Sequence, residues 1–166
     1  MLRAWALLAA SAAVYAAAVA WAAWRLPADG VALHIGTEGV DRVGPRFEAV
    51  AGFVNLGVVL TALAALVLGG VALLPVRWMN VPHRDYWTAP RRAPLMRRML
   101  AWDMAVLFSL PILFAACIPV DLTLATADPS GHPPWLFPVA LGLLLAGMAA
   151  RIAWMAGPRY RPAPDG

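Results

Sequence analysis

Long apolar runs alternate with shorter polar stretches along this chain of 166 residues. Four such runs cover about residues 4–24, 49–76, 99–120 and 135–156, and none carries more than one charged residue. A helix needs about 20 mostly apolar residues to cross the hydrocarbon core of a bilayer. We therefore predict an all-α integral membrane protein, whose four transmembrane helices form a single membrane domain over residues 1–166.

The composition agrees with burial in lipid. Hydrophobic residues make up 62% of the chain and charged residues only 13%, against about 25% charged residues in soluble domains. The first run has an alternative interpretation as the apolar core of a cleaved signal peptide. Such cores are about 7–15 residues long, whereas this run extends without a charge from Ala4 to Trp24. We therefore predict an uncleaved helix.

The arginines determine the predicted orientation. All 13 basic residues are arginine, and ten of them lie on one side of the predicted spans. These ten are Arg3, Arg77, Arg84, Arg91, Arg92, Arg97, Arg98, Arg151, Arg159 and Arg161. Because short loops rich in Lys and Arg stay in the cytoplasm, we predict that both chain ends and the inner loop over residues 77–98 are cytoplasmic. The loop over residues 25–48 is then the outer loop.

Both of these loops carry more pattern than a simple connection needs. In the outer loop, Val31, Leu33 and Ile35 alternate with other residues, which predicts a short strand, and the glycines that follow predict turns. We therefore expect a small ordered outer loop between the first two helices. In the inner loop two prolines enclose the aromatic pair Tyr86 and Trp87, which is a candidate surface for lipid headgroups and for a cytoplasmic protein partner.

The two loop motifs resemble one bacterial family. The outer-loop motif follows Leu26-Pro27 and consists of His34, Gly39, Asp41, Arg42 and Gly44. It is similar to the domain of unknown function at the front of Sdp immunity (SdpI-like) membrane proteins. The inner-loop motif consists of Asn80, Pro82, Tyr86, Trp87 and Pro90. It resembles the Asn-x-Pro-x-x-x-Tyr-Trp-x-x-Pro box of the same group. The resemblance implies a multi-pass protein of the bacterial cytoplasmic (inner) membrane with a role in immunity, envelope sensing or regulator sequestration.

Two charged residues lie inside the predicted spans. Asp103 lies near the inner end of the third span, and Arg151 lies near the inner end of the fourth. An ionisable residue within a span is a candidate for ion or proton movement. The alternative is a structural ion pair, for which Arg97, Arg98 and Arg151 are the candidate partners of Asp103 because long arginine side chains can reach along a helix end.

Groups for catalysis or metal binding are sparse. The histidines and acids predicted to lie outside are His34, Glu38, Asp41, Asp121, Asp128 and His132. No two of them have the close spacing of a typical zinc site, and the chain has no Gly-x-Ser-x-Gly, His-Glu-x-x-His or phosphate-loop motif. We therefore predict no enzymatic activity, no metal and no cofactor. Because the arginines lie next to apolar spans, we predict that they contact lipid headgroups and that the chain has no nucleic-acid partner.

Some local features point to packing. Ala9, Ala13 and Ala17 are spaced four apart on the first helix, which favours close approach of another helix. Pro111 is predicted to kink the third helix, with Ser109 or a neighbouring helix satisfying the carbonyl that Pro111 leaves free. The Pro-rich tail over residues 157–166 is predicted to be disordered.

Four functions are consistent with this pattern. The first is a non-enzymatic interaction protein that binds a cytoplasmic partner at the inner loop. The second is a small proton- or ion-coupled transporter or channel that uses Asp103. The third is an accessory subunit of a membrane complex, and the fourth, which has the least support, is a membrane enzyme acting through His34 and the outer acids. The sequence leaves the oligomeric state open.

Overall fold

The structure, a computed structural model, describes residues 1–36, 39–128 and 135–162, and within these ranges the chain is mostly helical. The five helices are α1 (Leu2–Arg25), α2 (Arg46–Leu73), the short α3 (Arg84–Thr88), α4 (Ala93–Ala127) and α5 (Leu136–Ala156). Two strands, β1 (Val31–Gly36) and β2 (Gly39–Gly44), lie between α1 and α2. Short 3-10 turns follow α2 and α5, at Val76–Trp78 and Pro158–Tyr160.

Four of the described helices are long and apolar enough to cross a membrane, as the sequence predicts. They are α1, α2, α4 and α5, the last continuing into the 3-10 turn that follows it. Their outward faces carry large apolar side chains, among them Val58 and Leu66 on α2 and Leu143 on α5, all more than half exposed. A water-soluble protein rarely leaves so extensive an apolar surface uncovered. These features are those of a multi-pass membrane protein.

The central helix of the bundle is α4. It packs against α1, α2 and α5, while α1 and α2 also contact each other. Most of the buried residues lie where these helices meet, including Ala101, Ala105 and Ile112 of α4. In contrast, α5 packs mainly against α4 and leaves most of its surface open. Small residues at the helix contacts let the backbones approach closely.

The described part of the loop between α1 and α2 forms two strands, where the sequence predicts one short strand followed by turns. Strands β1 and β2 pair antiparallel, with His34 opposite Arg42, and the register is irregular on both sides of His34. The backbone N–H of Ala32 donates to Thr126 Oγ1 at 3.1 Å, which ties β1 to the last turns of α4. We call this side of the bundle the hairpin end. The opposite side, where α1 and α4 begin and α2 and α5 end, is the arginine-rich end.

Helix α4 is longer than its apolar run. It was predicted over residues 99–120, but it extends from Ala93 to Ala127 and continues through Pro111 and Pro119. The extra turns at its start carry arginines and those at its end carry polar residues, which interrupt the apolar run without ending the helix. Ser109 does not satisfy the carbonyl freed by Pro111, because its buried Oγ makes no hydrogen bond within the described part of the chain.

The packed face of α1 differs from the predicted one. The buried positions of α1 are Ala4, Leu8, Ser11, Tyr15, Val19 and Ala22, which follow a spacing of three and four residues. Ala9, Ala13 and Ala17 lie off this stripe and are exposed. Because α1 is apolar on all sides, its sequence does not distinguish the face that meets protein from the face that meets lipid.

Candidate functional site

The arginine-rich end contains a buried cluster of charged and polar side chains centred on Asp103. This aspartate lies on the inner side of α4 and is fully buried. One carboxylate oxygen, Oδ1, pairs with the guanidinium group of Arg151 on α5. The other, Oδ2, accepts a hydrogen bond of 2.8 Å from the Tyr160 hydroxyl and one of 3.3 Å from Arg159 Nε. We call Asp103, Arg151, Arg159 and Tyr160 the Asp103 cluster.

The charges of the Asp103 cluster explain why a carboxylate is tolerated there. A buried ionised group is costly unless it is paired and hydrogen-bonded. Asp103 has two cationic partners and one neutral donor, so both of its oxygens are occupied. Of the three candidate partners predicted from the sequence, Arg151 forms an ion pair with Asp103. Arg97 and Arg98 form no ion pair with Asp103 in the described part of the chain. The arrangement fits a structural ion pair more closely than an open ion pathway.

The chain end after α5 completes this cluster. Residues 157–162 were predicted to belong to a disordered tail, but they fold back onto the bundle and bury Tyr160. The Trp87 indole N–H donates to the backbone carbonyl of Tyr160 at 2.7 Å, and the two rings meet edge to face. Met79 and Met96 pack around them. The Asp103 cluster is thus connected to the loop before α4 through one buried tyrosine.

The inner-loop motif is divided between this core and the surface. Trp87 is buried, and Tyr86 is half-buried against it, with the Arg92 guanidinium 3.8 Å from the Tyr86 ring centre. Pro82 is half-buried, whereas Asn80 and Pro90 are exposed. Trp87 therefore stabilises the loop from inside and is not itself a contact surface for a partner.

The outer-loop motif lies at the opposite end of the bundle. His34 is exposed on β1, and Gly39, Asp41, Arg42 and Gly44 all lie on β2. The Arg42 guanidinium forms an ion pair with Glu48 in the first turn of α2. Asp103, at the arginine-rich end, and Thr126, at the hairpin end, are 23 positions apart on α4, which corresponds to about 35 Å at 1.5 Å per residue. The structure therefore does not bring the two motifs together.

Gly44 has a packing role in the hairpin. A β-carbon at this position would lie 2.4 Å from Leu33 Cδ1 and 3.1 Å from Glu48 Oε2. Only glycine lets β2 approach the Leu33 side chain without displacing it. The last position of the outer-loop motif therefore has a local steric explanation that needs no ligand.

The described residues do not form a metal site. Across residues 1–36, 39–128 and 135–162, no three His, Cys, Asp or Glu side chains are grouped so that they could hold a metal ion. Glu38 and His132, two of the candidate metal ligands in the sequence, lie outside these ranges. The donors at Asp103 are arginines and a tyrosine, which hold an anion rather than a cation.

The structural roles of three residues at the arginine-rich end are not predicted from the sequence. Arg159 and Tyr160 join the Asp103 cluster, and the signal that would have found them is an aromatic residue between two arginines in a tail otherwise rich in proline. Arg97 donates to the carbonyls of Val71, Ala72 and Leu74 at 2.8, 2.8 and 2.6 Å, and so caps the end of α2. Its partners lie more than twenty positions away along the chain, so no local pattern reveals them.

We expect replacement of Arg97 by glutamine to lower the free energy of unfolding by about 1–2 kcal/mol, because the last carbonyls of α2 lose charged donors. Unfolding by sodium dodecyl sulfate in mixed micelles measures this change. The matched control is Arg98→Gln, which removes the neighbouring charge but no described hydrogen bond. An equal loss in both variants would contradict a capping role for Arg97.

No family model, no curated protein and no solved structure matches this chain.

Proposed function

We propose that this chain is a non-enzymatic, multi-pass protein of a bacterial cytoplasmic membrane, with both chain ends in the cytoplasm, that holds a cytoplasmic protein at its arginine-rich end. The observation that carries the proposal is the ordered basic surface at that end. The helical segment α3, the loop before α4 and the chain end after α5 are tied together by Trp87 and Tyr160. They form a platform rather than loose connections.

The charge of this platform indicates the class of partner. Its exposed arginines are Arg77, Arg84, Arg91, Arg92 and Arg161. The one exposed acid among the described residues of the platform is Asp85. A surface with this balance favours an acidic partner, because complementary charge directs association. An acidic face on a soluble regulator, or an acidic peptide, fits this requirement.

The hairpin end supplies the other half of the proposal. The resemblance to Sdp immunity (SdpI-like) proteins suggests that the outer-loop motif takes part in envelope sensing or immunity. The hairpin is attached to α4 through Thr126, and α4 extends to the Asp103 cluster at the other end. One continuous helix therefore connects the proposed sensing surface with the proposed partner surface.

A second function, an accessory subunit of a membrane complex, is favoured by one observation. Ala9, Ala13 and Ala17 form an exposed line of small residues on α1. Such a line suits packing against a helix of another chain. Transport through Asp103 has less support, because both oxygens of this carboxylate are occupied by partners.

The proposed orientation predicts a labelling pattern. In a Cys117→Ala background, a cysteine placed at Arg42 should react with a membrane-impermeant maleimide in intact spheroplasts. A cysteine placed at Arg91 should react only after the membrane is opened. Both positions are exposed, so accessibility to the reagent depends on the side of the membrane. The opposite pattern would invert the proposed topology.

The proposed partner surface predicts the result of a mild-detergent pull-down from native membranes. The wild-type chain should retain a soluble acidic protein, and Arg91→Glu with Arg161→Glu should reduce its recovery by about tenfold, because two favourable charges become repulsive. These arginines are exposed and make no described hydrogen bond or ion pair, so the fold should be unaffected.

The control for this pull-down is Arg25→Gln, which removes an exposed arginine at the other end of the bundle. It should leave recovery of the soluble protein unchanged. Recovery of membrane proteins alone, insensitive to Arg91 and Arg161, would favour the accessory-subunit function and reject the proposed partner.

A further inference from the structure

A cavity of about 710 Å³ opens at the arginine-rich end, between the start of α1 and the start of α4. Its lining consists of Met1, Leu2, Arg3, Ala4, Arg98 and Trp102. This volume lies within the range of small-molecule sites, about 300–1,000 Å³. The cavity is separate from the Asp103 cluster, since none of the four residues of that cluster lines it.

Two arginines from different helices line this one cavity. Arg3 and Arg98 are exposed, and neither meets a carboxylate or a backbone carbonyl within the part of the chain that the structure describes. The contrast with Arg97, next in the chain, is direct, because Arg97 donates to three carbonyls. Two arginines that border one cavity are suited to hold an anion, because guanidinium groups are strong donors to anionic oxygens.

The side chains of the remaining lining residues are largely apolar. Trp102 is 37% exposed and Leu2 is 87% exposed, while Ala4 is buried. Tryptophan is enriched where the apolar and headgroup regions of a bilayer meet, because its ring is largely apolar and its N–H is polar. A site that combines two cations with an apolar wall suits a ligand that has an anionic group attached to a hydrocarbon portion.

We propose that this cavity binds the phosphate headgroup of an anionic phospholipid from the adjoining leaflet. Arg3 and Arg98 hold the phosphate, since guanidinium groups bind phosphate oxygens through paired N–H donors. Trp102 and Leu2 lie against the glycerol backbone and the first methylenes of the acyl chains. The proposal depends on the chain lying in a membrane and not on the identity of any protein partner.

The test uses native mass spectrometry of the full chain in a non-ionic detergent, titrated with phosphatidylglycerol or phosphatidylcholine of the same acyl chains. The wild-type chain should bind one phosphatidylglycerol at least about tenfold more tightly than phosphatidylcholine, and this preference should fall as salt is raised. Arg3→Gln with Arg98→Gln should abolish the preference. The charge-matched control, Arg91→Gln with Arg161→Gln, should retain it.

Three results would overturn the proposal. One is equal binding of the two lipids by the wild-type chain, and another is equal loss of the preference in the two double variants. The third is displacement of phosphatidylglycerol by millimolar inorganic phosphate, which would make the cavity a site for a soluble anion. Because the lipid preference of the wild-type chain and its salt dependence are measured without any substitution, the proposal is tested even if the Arg3 and Arg98 double variant does not fold.

Discussion

Replacing Asp103 with alanine should lower the free energy of unfolding by about 3–5 kcal/mol, the usual cost of breaking a buried ion pair by removing one partner. Asp103 has no exposed surface, and the side chains of Arg151 and Arg159 are only 18% and 27% exposed. The variant leaves these two guanidinium groups facing each other beside the Tyr160 hydroxyl. Unfolding in mixed micelles of sodium dodecyl sulfate measures the loss.

Graded variants separate the contributions within the Asp103 cluster. Asp103→Asn keeps an acceptor for the Tyr160 hydroxyl but removes the charge, so its loss should lie below that of the alanine variant. Tyr160→Phe removes one donor and keeps both ion pairs, which should cost about 1–3 kcal/mol. The loss in the free energy of unfolding should therefore be largest for Asp103→Ala, smaller for Asp103→Asn and smallest for Tyr160→Phe. This order follows from the number of interactions that each variant removes.

The control is Asp85→Ala at the same end of the bundle. Asp85 is exposed in the first turn of α3, and removing an exposed acid usually changes stability by less than about 0.5 kcal/mol. If Asp85→Ala and Asp103→Ala had the same effect, the Asp103 cluster would not be a structural centre. If the Asp103→Ala variant were as stable as the wild-type chain, a transport role for this residue would be favoured over a structural one.

The four long helices were predictable because a bilayer imposes a length. Any run of about 20 apolar residues with almost no charge satisfies that requirement, and all four runs contain one helix each. The ends of α4 were less predictable, since hydropathy reports which residues can lie in lipid rather than which residues are helical. The turn that carries Arg97 is helical and polar, and hydropathy alone assigns it to a loop.

The packed faces of the helices were not predictable, because hydropathy does not distinguish a side chain that faces lipid from one that faces another helix. In a soluble helix the polar side reveals the buried side, but α1 is apolar all round. The prediction that Ala9, Ala13 and Ala17 form the packed face therefore rested only on their small size. The structure instead buries a stripe that contains Leu8 and Tyr15. Only the contacts with α2 and α4 identify that stripe.

The candidate site was predictable in part. A charged residue within an apolar run stands out in any sequence, so Asp103 and Arg151 were found, and their pairing is present in the structure. The contact between Tyr160 and Trp87 was not predicted, because their hydrogen bond joins residues that are far apart in the chain. A proline-rich tail usually indicates disorder, and the one contrary signal, an aromatic residue between two arginines, does not by itself show that Tyr160 is buried.

A substitution at Gly57 should be the most damaging single change in the contact between α1 and α2. A β-carbon at this position would lie 2.3 Å from Tyr15 Cε1 and 2.8 Å from Cδ1. The Tyr15 ring is buried, and its hydroxyl donates to the Phe53 carbonyl on α2. The ring therefore cannot move aside without losing that hydrogen bond, and the two helices must separate instead.

Overpacking of this kind costs about 1–3 kcal/mol, and we expect Gly57→Ala to fall in this range and Gly57→Leu to exceed it. The chain supplies matched controls in the same helix, since a β-carbon at Gly52 or Gly69 meets no atom within 4 Å. Gly52→Ala and Gly69→Ala should be neutral or gain up to about 1 kcal/mol, because alanine favours helix over glycine.

Combining Gly57→Ala with Tyr15→Leu tests whether the ring is the cause. The smaller side chain removes the atoms that the new methyl group would strike, so the two losses should add to more than the loss in the double variant. Strictly additive losses would place the strain elsewhere on α2. Equal destabilisation by Gly52→Ala, Gly57→Ala and Gly69→Ala would instead mean that alanine is unfavourable to the same degree at all three glycine positions, and that close approach to Tyr15 is not the reason for glycine at position 57.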